Sequence, residues 1–135
     1  MPSDMLVNTN KDNDIEVTIQ ESEILVALRV EANDQLIGQM EDLRNVLTDV
    51  NTTIDEKNNA FEKMKLLNIN RGEEEKLETK IKDDFNLQSF VKINGDQIRV
   101  VVAKAEHDVK VANDIMRLLQ SNFTNKMYIS VKFQK

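Results

Sequence analysis

Cysteine and tryptophan are absent from this 135-residue chain, which has one histidine, one proline and one tyrosine. Without cysteine there is no disulfide frame, no thiolate zinc site and no cysteine nucleophile. Aromatic residues make up only 4% of the chain, so any core must be aliphatic. The three glycines, Gly38, Gly72 and Gly95, stand far apart, which excludes a glycine-rich phosphate cradle. Long apolar runs are missing too. The longest, Ile24–Leu28, ends at Arg29, well short of the ~18 residues of a membrane span, and no signal peptide precedes it.

What is present is a soluble, foldable composition of 40% hydrophobic and 31% charged residues. The length suits one domain plus an arm. The formal net charge is −6, unevenly spread. Residues 1–70 hold 6 basic and 14 acidic side chains, residues 71–135 hold 12 and 10. An acidic, aromatic-poor chain is a poor nucleic-acid binder, because duplex binding calls for a concentrated basic face. Anionic lipid would repel it unless something outside the chain anchors it.

Residues 1–20 read as a flexible arm, with Asn and Asp clustered at 8–14. Within it Ile15, Val17 and Ile19 alternate with polar residues, a pattern that suits a short strand or a helix lead-in equally. From Glu21 to Thr48 the pattern is helical. Ile24, Leu28, Ala32, Leu36 and Met40 recur every four residues, then Leu43, Leu47 and Val50 continue a heptad-like seam. Two heptads are too few for a coiled coil, so the spacing favours an amphipathic helix packed on its own domain. Gly38 inside it costs about 1 kcal/mol relative to Ala.

Thr53 and Glu56 form a capping-box signature for a second helix, expected to run to Leu67. Asn68–Gly72 is expected to end it. A third helix then opens with Glu73, Glu74 and Glu75 at its positive end, turns Leu77 and Ile81 inward, and stops near Asp84–Asn86. Next, Phe90–Ile93, Asn94-Gly95 and Asp96–Val102 read as a β-hairpin on a type I′ turn. That register pairs Ile93 with Asp96 and Val91 with Ile98. It sets Val91, Ile93, Ile98, Val100 and Val102 on one face, with Lys92, Arg99 and Val101 on the other. Asp108 caps a helix to about Asn122, whose stripe is Ala112, Ile115, Met116, Leu119 and Phe123. In the closing strand, 127–133, Ile129, Val131 and Phe133 are expected inside and Tyr128, Ser130 and Lys132 outside.

The fold expected is therefore α+β: helix, strand, strand, helix, strand in two layers around a three-stranded sheet, preceded by long N-terminal helices. The units are 1–20 (arm), 21–70 (helices) and 71–135 (α/β domain). No catalytic constellation accompanies it. His107 has no nucleophile or metal partner in any motif. Glu73–Glu75 point in different directions on a helix. Asp12-Asn13-Asp14 lacks the glycine and later glutamate of a calcium loop. No cofactor or metal is expected, and nothing suggests an enzyme. A KH-like RNA-binding domain would need a Gly-x-x-Gly loop and a basic groove, and the sequence shows neither.

Several segments resemble, in order and spacing, the stage III sporulation protein AH family. They are Thr53–Ala60, Glu75–Glu78, Val100–His107, Ala112–Met116 and Ile129–Phe133. The similarity runs from about Glu21 to the C-terminus. It implies a ring-building-motif-like domain of a mother-cell membrane protein, placed in the intermembrane space between mother cell and forespore. There the family binds stage II sporulation protein Q, which has a LytM-like domain, to form a channel, and a homo-oligomeric ring is implied as well. The family carries an N-terminal transmembrane helix that this chain lacks, so Met1–Leu6 are read as the start of a truncated piece. Where the family often has Gly-Tyr, this chain has Phe85-Asn86, and Asn86 can adopt the left-handed cap. The sheet's exposed edge suggests strand addition, with Tyr128, Ser130 and Lys132 as partner-binding residues. The alternative is a self-associating helical scaffold that uses the Leu36–Val50 seam, or a secretion-ring-like structural subunit, without that partner.

Overall fold

A computed structural model describes residues 22–135. The reading of residues 1–20 lies outside them. Six elements follow in order: α1 (Glu23–Thr48), α2 (Ile54–Phe85), β1 (Ser89–Asn94), β2 (Gln97–Ala103), α3 (Val109–Gln120) and β3 (Tyr128–Gln134).

α1 and α2 form a helical hairpin. Its turn is pinned by the Asp49 carboxylate, which accepts from the Asn51 amide at 2.9 Å. The expected capping box is present. The Glu56 amide donates to Thr53 Oγ1 at 3.1 Å, and the Thr53 amide donates to Glu56 Oε1 at 2.9 Å. These bonds hold the Glu56 carboxyl below its usual range. The α1 seam faces inward as the amphipathic reading requires. Met40 is buried and Leu36, Leu43 and Leu47 are half-buried, while Val50 lies outside the seam at 92% exposure. The α2 side of the contact is Ala60, Met64 and Leu67.

The expected break at Asn68–Gly72 does not exist, because α2 continues through it for 32 residues. That is about 48 Å of helix at 1.5 Å per residue. A lone glycine costs about 1 kcal/mol, which a long packed helix absorbs, and no proline is there to enforce a stop. The Arg71–Glu75 pair at 3.3 Å bridges the next turn. Glu73–Glu75 therefore lie mid-helix rather than at a helix start. The helix does end as expected, with Asn86 left-handed at φ 56°, ψ 39°.

The sheet order is β1-β2-β3, with β1–β2 antiparallel and β2–β3 parallel. The hairpin turn sits one residue later than the sequence suggested. Ile93 pairs with Ile98 and Val91 with Val100, leaving Gly95-Asp96 as the two-residue loop. Gly95 has φ +64° and Asp96 does not share a positive φ. That is the φ pattern of a type II′ turn with glycine first, not the double positive φ of type I′. A shift that moves each partner by two residues preserves side-chain parity. The five expected core residues consequently still share one face, packed with Leu77 and Ile81 of α2 and Ile115 and Leu119 of α3.

The opposite face differs from expectation. Val101 is only 3% exposed, because it clusters with Phe90 and with Leu25 of α1, flanked by Leu28 and Ala103. α1 thus covers one end of that face. Along β3, Ile129, Val131 and Phe133 do turn to the core but are half-buried, since the strand is an edge and the helices reach only part of it. Asp108 caps α3 as expected, with Oδ1 accepting from the Val111 amide at 3.2 Å.

Candidate functional site

A three-stranded sheet has two outer edges, and here they are treated differently. On β1 the outward-pointing backbone groups belong to Ser89, Val91 and Ile93. The Ala103 amide donates to the Gln88 carbonyl at 2.9 Å, which fixes this phase: Phe90, Lys92 and Asn94 bond to β2 in the antiparallel register. Ser89, Val91 and Ile93 are each met by a side chain. The Val91 amide donates to Glu78 Oε2 at 2.9 Å, and the Ile93 amide donates to Glu74 Oε2 at 2.9 Å. The Ser89 carbonyl accepts from Arg29 Nη2 at 2.8 Å. Arg29 also pairs with Glu78 at 3.6 Å, tying α1, α2 and β1 together. The β1 edge is closed to any incoming strand.

Glu74 and Glu78 were not foreseen. A signal existed: Glu74, Leu77 and Ile81 share helical spacing, so a carboxylate stands in the inward stripe. Burial raises the Glu74 carboxyl above its usual value, against the lowering pull of the Ile93 amide and then Lys92. Burial also raises Glu78, opposed by the Val91 amide and Arg29. A carboxyl raised on folding binds its proton more tightly in the folded state. Its stabilising contribution is therefore present below the unfolded value and lost as pH rises through the folded one. Glu78→Gln keeps an acceptor oxygen for Val91 without the buried charge. Its thermal midpoint is expected to match or exceed wild type at pH 7, with the difference shrinking toward pH 4. A deficit at pH 7 that closes on acidification would show that the ionised form stabilises the fold.

Among the described residues nothing pairs with the outer edge of β3. The Tyr128 amide donates to the Asp96 carbonyl at 2.8 Å and the Gln134 carbonyl accepts from the Lys104 amide at 3.0 Å. With the parallel register Gln97↔Tyr128 through Ala103↔Gln134, these bonds set the phase of the strand. Tyr128, Ser130, Lys132 and Gln134 direct their backbone groups toward β2. Ile129, Val131 and Phe133 direct theirs away from the sheet. The Ser130 amide is thus an inner ladder donor, not the outward one that the strand-addition idea requires of it. The side chains of Tyr128, Ser130 and Lys132 do share the exposed face, Tyr128 at 60% exposure.

A recess of about 1030 Å³ wraps the start of this edge. It reaches both faces of the sheet, with Arg99 and Tyr128 on one side and Met116 and Met127 on the other. His107 lies away from this recess, exposed, its ring edge-on to Phe133 at 5.3 Å. Among the described residues no cluster of His, Asp and Glu is arranged to hold a metal ion. No helix among them is long and apolar enough to cross a membrane.

The fold defines a class of protein: a two-layer α+β domain carrying a helical hairpin, with one sheet edge met by its own side chains and the other, among the described residues, lying beside a recess. The sequence profile of the SpoIIIAH-like protein family matches residues 3–130, and the chain belongs to that family. It is 25% identical over 114 residues to stage III sporulation protein AH of Bacillus subtilis (strain 168), covering 84% of this chain. The chain spans about half (52%) of that relative's length. A chain of the solved SpoIIQ–SpoIIIAH pore-forming complex superposes with a TM-score of 0.74 at 25% identity, covering 84% of this chain and 98% of that one. The family is a sporulation family, and the α+β architecture expected from the sequence is the one found.

Proposed function

We propose that this chain is the extracytoplasmic part of a mother-cell membrane protein. It binds stage II sporulation protein Q in the space between mother cell and forespore and contributes to the channel between the two cells, without catalysis. Family membership and the likeness to a chain of the SpoIIQ–SpoIIIAH complex support this reading. The observation that carries the mode of binding is the asymmetry of the sheet: β1 is sealed by Glu74, Glu78 and Arg29, whereas β3 presents the outward groups of Ile129, Val131 and Phe133. A partner strand adds there through main-chain hydrogen bonds, and Tyr128, Ser130 and Lys132 give side-chain contacts on the exposed face.

Proline separates this from a generic surface contact, because it removes one donor and is tolerated on an edge strand where the amide points outward. Val131→Pro is expected to keep the circular dichroism of wild type and lose at least tenfold in affinity for the partner's extracytoplasmic domain by calorimetric titration. Ser130→Pro instead breaks the β2–β3 ladder and lowers the melting temperature. Wild-type affinity in folded Val131→Pro would place the docking surface elsewhere.

A further inference from the structure

The recess at the start of β3 has a charge character that opposes that of the whole chain. Four of the fourteen residues lining it are basic and none is acidic, in a chain with 24 acidic and 18 basic side chains. Lys92, Arg99, Arg117 and Lys126 come from β1, β2, α3 and the loop before β3, so no run of sequence announces them. Two of the four are engaged by carboxylates: Arg117 with Asp114 at 2.8 Å and Lys92 with Glu74 at 3.9 Å. Among the described residues Arg99 and Lys126 meet no carboxylate. Each lies over an aromatic ring, Arg99 at 5.9 Å from the Phe90 centroid and Lys126 at 6.0 Å from that of Tyr128.

Their placement beside the open edge matters. Arg99 stands next to Ser130 in the parallel register; its guanidinium rests toward β1, over Phe90, and a side chain as short as serine leaves it room to swing the other way, across β3, when a strand is added. On the other face of the same edge the recess is lined by Met116, Met127 and Ile129. A strand laid beside β3 alternates its side chains between these two environments. One set meets cations and the other meets methionine and isoleucine.

We infer that the occupant of this edge is an acidic, alternating β-strand of another protein, with carboxylates at every second position facing Arg99 and Lys126 and apolar side chains between them. This rests on the strand-addition reading above and specifies the partner segment's chemistry. Unpaired cations flanking a docking edge steer a complementary segment and reject a like-charged one.

Two measurements test it. In the first, Arg99→Glu/Lys126→Glu is titrated against the extracytoplasmic domain of stage II sporulation protein Q at low and high salt, with Val131→Pro alongside. The double reversal is expected to lose on the order of tenfold in affinity at low salt, with a smaller loss at high salt. Both side chains are exposed, so the fold should survive, and circular dichroism checks it. In the second, wild type is titrated by fluorescence anisotropy with two labelled peptides of equal length, one alternating Glu and Val, the other Lys and Val. Binding of the first alone, lost in Val131→Pro, supports the inference. If Val131→Pro abolishes partner binding while the double reversal binds like wild type, strand addition stands and the acidic strand is wrong. If Val131→Pro binds normally, strand addition itself fails and takes this inference with it. Equal binding of both peptides, binding of a second copy of this chain in place of the partner, or tighter binding of poly(U) than of the acidic peptide would each overturn it.

Discussion

Leu77→Ala is expected to destabilise the protein by about 3 kcal/mol, within the range for a leucine truncated in a sealed core. Leu77 has no exposed surface and lies in the cluster that joins α2 to the sheet and α3. Its neighbours Ile81, Val91, Ile98 and Ile115 come from four different elements, so the walls of the cavity are fixed independently and collapse poorly. For a chain of this size the loss corresponds to roughly 10 °C in melting temperature. The same truncation at Leu66, 55% exposed on the outer side of α2, should leave the midpoint nearly unchanged. Equal losses at the two positions would mean that the hairpin's outer side is covered by a further element.

Gly72→Pro is expected to cost at least about 3 kcal/mol, because proline inside a helix removes an i→i−4 hydrogen bond and its ring collides with the preceding turn. The substitution would uncouple the helical hairpin from the sheet, which α2 joins only beyond this point, from Glu74 onward. Gly72→Ala should do the reverse. A Cβ added there meets nothing within 4 Å, so the gain is the ordinary helix preference of up to about 1 kcal/mol. Thermal denaturation of the pair decides the matter. A harmless proline would restore the two-helix reading of residues 54–85.

That reading shows where sequence patterns are informative and where they stop. The element order, both caps at Thr53 and Asp108, the left-handed Asn86 and the five-residue core face were legible, because each depends on local chemistry or on a period of two or 3.6. The continuity of α2 was not. Asn68 to Gly72 resembles a stop, and only tertiary packing decides whether a helix pays attention to it. The hairpin turn was misplaced by one residue because Asn-Gly and Gly-Asp overlap at Gly95, and one positive φ suits either frame. The β3 edge was half legible. Tyr128, Ser130 and Lys132 were rightly placed on the outer face, but the direction of backbone amides in a parallel strand depends on its partner's register, which one sequence does not carry. The cations of the recess come from four separate segments, so the basic groove missing from the linear sequence exists only in the fold.

The order of pairing within the sheet also has a kinetic consequence. β1 and β2 are joined by a two-residue turn, whereas β3 arrives only after α3 and its flanking loops, residues 104–127. Closing a distant contact costs more chain entropy than closing a local one, so β2 is expected to pair with β1 before it gains its outer neighbour. The run Ile98-Arg99-Val100-Val101-Val102 then presents a bare, strongly β-forming edge. Arg99 within that run and Lys104 just past its end are the charges that interrupt it. Beyond any part in docking, Arg99 sits where a gatekeeper against self-aggregation would be placed during synthesis.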